Sequence, residues 1–307
     1  MIEIENLTKR YGAKVAVDGL SFVVRPGTVT GFLGPNGAGK STTMRMIAGL
    51  DEPTSGTVRV NGKHYRSSRA PMAELGVLLE AKAVHTGRSA RNHLLAIGQT
   101  AGIGRNRVDE VIELVGLADV AGKRVGGFSL GMGQRLGIAS ALLGRPQTVV
   151  LDEPVNGLDP DGVRWIRELL RQLADEGRTV LVSSHLMSEM AQTATHLVVV
   201  GRGRLIADCT VEQFVSRTTA TSVVVRSPEA MRLRGLLQGP DVLVSSERSD
   251  VLNVTGLDAD RIGTVAWQAN LPILELSVVQ PSLEEAFMRA TRTSVEYGDT
   301  TSLEVVR

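Results

Sequence analysis

Hydrophobic residues recur at two periods along this chain. Near the start they alternate: Ile2, Ile4 and Leu7 are separated by polar side chains, the period of a strand with one buried face. Residues 15–24 are rich in valine, and 28–33 form a third strand that runs into a glycine-rich turn. The pattern predicts a helix over 41–49, stopped by Gly49 and a turn over 51–56, then a short strand over 72–80. Between about 89 and 143 apolar residues fall three and four apart in three segments, which predicts a helical block. Apolar runs over 148–151, 179–182 and 196–200 read as buried strands, followed by another over 204–208. Between the first two, a helix opens at Pro160, whose missing N–H suits the first helical position.

Residues 210–221 read as a short helix and a polar linker. Beyond them the pattern is strand 221–227, helix 228–238, strands 241–246 and 250–256, helix 257–270, strand 272–280 and a last helix 282–291. The order βαββαβ is a ferredoxin-like signature. The organisation expected is therefore an α/β domain over 1–215 with a helical subdomain over about 85–145, a small α+β domain over 222–293, and a polar tail over 294–307.

Composition narrows the class. The formal net charge is +1, so no overall field attracts nucleic acid, and none is expected as a partner. One cysteine, Cys209, forbids an intrachain disulfide and fits a reducing compartment. It ends an apolar run and reads as a core residue. The opening residues alternate and do not read as a signal peptide. No apolar run approaches the roughly 20 residues that span a bilayer, so work at a membrane would need a spanning partner.

Candidate chemistry starts at Gly34-Pro35-Asn36-Gly37-Ala38-Gly39-Lys40-Ser41, which fits G-x-x-x-x-G-K-[ST] between a strand and a helix. Glycines let backbone N–H groups curl around a phosphate, and the helix that follows aims its N-terminus at the same anion. Lys40 can reach the β- and γ-phosphates, Ser41 offers a hydroxyl to Mg²⁺, and Thr42 is the next donor. Downstream, the apolar run ending at Leu151 delivers two carboxylates. Asp152 can hold the metal, and Glu153, pointing differently, can orient or deprotonate a water.

The order of phosphate loop, Phe128-Ser129-Leu130-Gly131-Met132-Gly133-Gln134-Arg135, the strand ending Asp152-Glu153-Pro154, Gly157-Leu158-Asp159-Pro160 and Val182-Ser183-Ser184-His185 resembles the ABC-type nucleotide-binding domain over roughly residues 1–210. The resemblance implies a P-loop fold with a mainly parallel core sheet, an antiparallel N-terminal sheet and a helical insert. It implies that Tyr11 stacks on adenine, a contact worth about 1–3 kcal/mol; a surface tyrosine in a turn is the plain alternative. Ser129 and Gly131 match the signature that closes over the γ-phosphate held by a second copy, with Leu130 and Met132 replacing the usual glycine and glutamine. Asp159 matches the segment linking the two sites and is also a natural helix cap. His185 matches the γ-phosphate histidine, whereas His64, His85, His93 and His196 have no such context. Glu80 falls where the family carries a glutamine that ligates Mg²⁺, unless the correspondence slips in the loop that follows.

The resemblance implies an ATPase with ATP and Mg²⁺, working as a head-to-tail homodimer on a separate integral membrane permease that contacts the transported small molecule. That places it at the cytoplasmic face of the membrane, docked near residues 80–100. Residues 281–291 resemble the tail of drug- and antibiotic-exporting subunits, which favours export. An importer ATPase shares every catalytic motif. A soluble non-transport member is disfavoured, because one cassette is present and no long coiled coil separates the phosphate loop from the signature. The C-terminal module carries no catalytic constellation and reads as dimer support, regulation or a passive appendage.

Overall fold

The computed structural model describes residues 1–80, 84–218, 222–279 and 282–292. The polar tail expected over 294–307 lies outside the described residues. Two compact units form, one built on Met1–Val211 and the other on Glu212–Ala290.

In the first unit, β1 (Ile2–Tyr11), β2 (Lys14–Val24), β3 (Thr28–Leu33), α1 (Lys40–Ile47), β4 (Ser55–Val60), α2 (Pro71–Glu74) and β5 (Leu75–Leu78) come first. The helical insert follows: α3 (Ala90–Gln99), α4 (Arg105–Leu114) and α5 (Leu130–Leu142). Then come β6 (Thr148–Leu151), α6 (Pro160–Asp175), β7 (Thr179–Ser183), α7 (Met187–Thr193), β8 (His196–Gly201) and β9 (Arg204–Thr210).

The central sheet has the order β5-β6-β7-β3-β8-β9. Its pairs are parallel except for the last, β8 with β9. Every residue of β6 and β7 is buried, as expected where helices cover both faces of a parallel sheet. A second sheet, β2-β1-β4, is antiparallel. Its inward residues, Ile2, Ile4, Leu20 and Phe22, join Phe32, Met44, Ile47, Leu181 and Val198 in one core. Helix α1 therefore packs with both sheets, and Phe22 meets Phe32 at 5.5 Å between ring centroids.

Two expectations change. The stretch 72–80 is not one strand: Pro71 opens the short α2 before β5 begins, because a proline-led turn presets helical φ. Strand β4 escaped the periodicity reading. Only Val58 and Val60 are buried along it, too short an alternation to stand out after a turn.

The C-terminal unit contains α8 (Val211–Thr218) from its second residue on, then β10 (Ser222–Arg226), α9 (Ala230–Leu237), β11 (Leu243–Arg248), β12 (Val251–Thr255), α10 (Ala259–Gln268), β13 (Glu275–Val279) and most of α11 (Leu283–Thr291). Its sheet has the order β11-β12-β10-β13, antiparallel throughout. Val223, Val225, Leu252 and Val254 pack against Leu233, Ile262 and Ala266 of the two helices, which is the ferredoxin-like arrangement.

Candidate functional site

The C-terminal ends of parallel strands β3, β6 and β7 lie side by side, and each leads into residues with candidate chemistry. After β3 the chain turns through Gly39, whose φ of 99° lies in the left-handed region and whose position leaves no room for a Cβ, only 2.5 Å from the Ala16 carbonyl. Only glycine meets both demands. Gly39 is the N-cap of α1, and no side chain caps that helix. The first-turn N–H groups thus keep their capacity for an anion.

Lys40 folds back over the loop. Its Nζ donates to the carbonyls of Gly34 at 2.5 Å and Pro35 at 3.2 Å. Burial pushes the ammonium pKa down, while the nearby Glu153 and Asp152 carboxylates pull it up. An ammonium held at the mouth of a loop, with an uncapped helix N-terminus beside it, is a cradle chemically suited to a polyphosphate.

The Ser41 hydroxyl donates to Asp152 Oδ2 at 3.0 Å. The other oxygen of Asp152 accepts a short hydrogen bond from Ser183 Oγ, and Ser183 Oγ in turn accepts from the Glu153 backbone N–H at 2.9 Å. Glu153 has a φ of 51°, unusual for a residue with a side chain. Its carboxylate meets His185, whereas that of Asp152 meets Ser41 and Ser183. Gln134 Nε2 holds the Glu153 carbonyl at 3.0 Å. His185 meets Glu153 Oε2 twice, through its ring Nδ1 at 2.7 Å and its backbone N–H at 3.3 Å. The structure therefore joins Ser41, Asp152, Glu153 and His185 into one chain of contacts beside Lys40.

Ser183 and Gln134 were not singled out in the sequence. The signal for Ser183 was a pair of hydroxyls closing an apolar strand. Its meaning depends on β7 lying next to β6.

Glu80 stands apart. It is exposed, lines a groove of about 440 Å³ with Arg45, Val84, His93 and Ile97, and its charge acts on Arg45. The carboxylates that act on Lys40 are Asp152 and Glu153. Among the described residues no three metal-ligating side chains of the His, Cys, Asp or Glu type gather.

Ser129 is the N-cap of α5, accepting from Met132 N–H at 3.2 Å. Asp159 caps α6 in the same way, accepting from Gly162 N–H at 2.8 Å. Leu130, in place of the usual signature glycine, leans over Gly157, where a Cβ would come within 2.3 Å of it. Gly157 has a φ of 75°. The signature and the Asp159 segment therefore pack on each other. No hydrogen bond joins Ser129 or Gly131 to the phosphate loop of the same chain among the described residues. Tyr11 is 49 % exposed and hydrogen-bonds Asp51 at 2.9 Å.

A P-loop on a parallel sheet, a carboxylate pair after the strand two places along that sheet and a signature helix define an ABC-type ATPase cassette. The ABC transporter family model matches residues 17–156, and a model described as a domain of unknown function matches residues 221–284. The chain is 43 % identical to the bacitracin transport ATP-binding protein of Bacillus licheniformis, over 68 % of this chain and 69 % of that one. It is 34 % identical to the Nod factor export ATP-binding protein I of Paraburkholderia xenovorans, over 94 % and 96 %. A solved dimeric bacterial ABC transporter cassette superposes with a TM-score of 0.62 at 25 % identity, covering 68 % of this chain and 98 % of that one. This chain belongs to the ATP-binding subunits of ABC transporters, in the branch that holds the bacitracin and lantibiotic transport ATP-binding proteins. It is an ATP-binding ATPase subunit. No helix among its described residues is long and apolar enough to cross a membrane.

Proposed function

We propose that two copies of this chain bind ATP and Mg²⁺ head to tail and drive a separate membrane permease that exports an antibiotic or a similar small molecule. The observation that carries the reading is the contact chain Ser41–Asp152–Ser183–Glu153–His185 beside a desolvated Lys40 and an uncapped helix N-terminus. Residues 34–42 cradle the phosphates, and Tyr11 stacks on the base. Ser41 and Asp152 would hold Mg²⁺, which when bound neutralises phosphate charge. Glu153 orients the attacking water and accepts its proton. His185 keeps that carboxylate aimed, and Lys40 offsets charge on the γ-phosphoryl oxygens. The reaction is positioning plus charge stabilisation of an in-line attack.

Ser129 and Gly131 complete the site of the other copy, and Asp159 links the two sites. The ATP-binding domain spans 1–215 and the accessory module 222–293. The permease docks along the groove lined by Glu80, Val84, His93 and Ile97, which holds the subunit at the cytoplasmic face of the membrane. The cargo touches the permease. The names of the relatives, one of them an export protein, support the outward direction.

The test is Glu153→Gln in the full chain. Turnover should fall by about 100-fold or more with ATP binding intact, and the ATP-loaded variant should co-purify with a multi-span permease from detergent-solubilised membranes. Undiminished turnover sinks the base assignment. Recovery of ribosomes without any membrane chain sinks the transport reading.

A further inference from the structure

Tyr11 is not a loose side chain on the surface. It ends β1, and its hydroxyl donates to Asp51 Oδ2 at 2.9 Å. Asp51 follows α1 in the chain, and Arg45 in the last turn of α1 grips both of its oxygens, with Nε to Oδ2 at 2.9 Å and a terminal nitrogen to Oδ1 at 3.1 Å. The Thr42 hydroxyl, one turn up α1, also lies beside the phenol. The Lys9 ammonium sits 5.0 Å from the ring centroid, and it is itself tied to the Glu52 carbonyl at 2.6 Å. Held by the Arg45 hydrogen bond first of all, Asp51 has a pKa lowered to about 2. It is a carboxylate at any working pH, so the brace does not titrate.

The same α1 carries Lys40, Ser41 and Thr42 at its other end. Eight residues at 1.5 Å each span about 12 Å. One short, half-buried helix therefore carries the phosphate cradle at its N-terminus and meets the Tyr11–Asp51 pair through Thr42 and Arg45. A loop-borne aromatic would need to be ordered at each binding event, whereas a braced one has already lost that freedom.

We propose that Asp51, clamped by Arg45, is a positioning residue for nucleotide recognition: it fixes the Tyr11 ring to α1, so that the base and triphosphate subsites keep one spacing. The inference rests on the reading of Tyr11 as the base platform. It makes the preference for a nucleoside triphosphate over a bare polyphosphate depend on a residue that touches neither.

The experiment uses the full chain and two probes, ATP and inorganic tripolyphosphate, which has no base. Asp51→Ala should raise the KM for ATP roughly 3- to 10-fold, a fraction of the worth of one base stack, with kcat changed less than about 2-fold. The inhibition constant of tripolyphosphate should stay where it was. Tyr11→Phe, which keeps the ring and loses only the hydroxyl, should reproduce the effect, and Asp51→Ala should add nothing in a Tyr11→Ala background. Equal weakening of ATP and tripolyphosphate overturns the proposal, because the variant would then have damaged α1 itself. An unchanged KM in Asp51→Ala and Tyr11→Phe, with a raised KM in Tyr11→Ala, overturns the brace and leaves the platform standing. An unchanged KM in Tyr11→Ala removes the platform, and the brace falls with it.

Discussion

At the scale of single residues, Ser183 illustrates how a small side chain can decide a site. It is fully buried, and its hydroxyl joins the Asp152 carboxylate to the Glu153 backbone N–H. The candidate metal ligand and the candidate base therefore share one support. Removing the hydroxyl leaves a part-buried N–H without its partner and a carboxylate oxygen free to turn. A hydrogen bond to a charged group is worth about 1.5–3 kcal/mol. Ser183→Ala should thus raise the Mg²⁺ concentration needed for half-maximal ATPase activity and lower kcat roughly 10-fold. Glu80→Gln is the matched comparison. With Glu80 exposed and acting on Arg45, its Mg²⁺ titration should match that of the unsubstituted chain, and a shifted midpoint would bring Glu80 to the metal. Residues 34–41, Asp152 and His185 were legible in the sequence because local motifs carry them. Ser183 and Asp51 were not, because each acts across a contact between elements distant in the chain: 31 positions separate Ser183 from Asp152 and 40 separate Asp51 from Tyr11.

At the scale of elements, legibility followed burial. The runs that became β6, β7 and β8 are almost wholly buried, so their hydrophobicity alone declared them. Helix α6 showed its face through Ile166, Leu169, Leu170 and Leu173, the 3.6-residue stripe of a half-buried helix. Strand β4, with two buried residues, stayed hidden. Helix α3 carries a charge state that periodicity cannot show. Its His93 is buried, and its ring Nδ1 has no hydrogen-bond partner. Burial pushes the imidazole pKa below its ordinary 6.5, and the positive charge of Arg88 adds to that. Arg45 and Glu80 line the same groove. The folded state holds its proton less tightly than the unfolded chain does. Stability is therefore fully present above about pH 6.5 and is lost as pH falls below it. Urea unfolding at pH 7.5 and pH 5.5 should show this loss, and His93→Gln should flatten the difference. An equal slope in the variant would assign the pH dependence to other groups.

At the scale of the whole molecule, the proposed head-to-tail dimer makes the site of one chain half a site. The phosphate loop, Asp152 and Glu153 converge, yet Ser129 stands exposed as the cap of α5 with no bond to that loop. A hydroxyl at a helix N-terminus has the chemistry to hold the γ-phosphate of another copy. Packing of Leu130 against Gly157 ties this surface to the segment that ends at Asp159, so in the proposed dimer closing one site would shift the neighbour of the other. The proposed arrangement predicts a dimer whose affinity depends on nucleotide. Light scattering at tens of micromolar should show Glu153→Gln as a monomer without nucleotide and as a dimer with ATP and Mg²⁺, because the second state is then not hydrolysed away. Ser129→Arg, placed on top of Glu153→Gln, removes a cap worth only about 1 kcal/mol and puts bulk where the two copies would meet. It should bind ATP as a folded monomer. A dimer in that double variant would move the interface away from the signature and separate the head-to-tail arrangement from the rest of the reading.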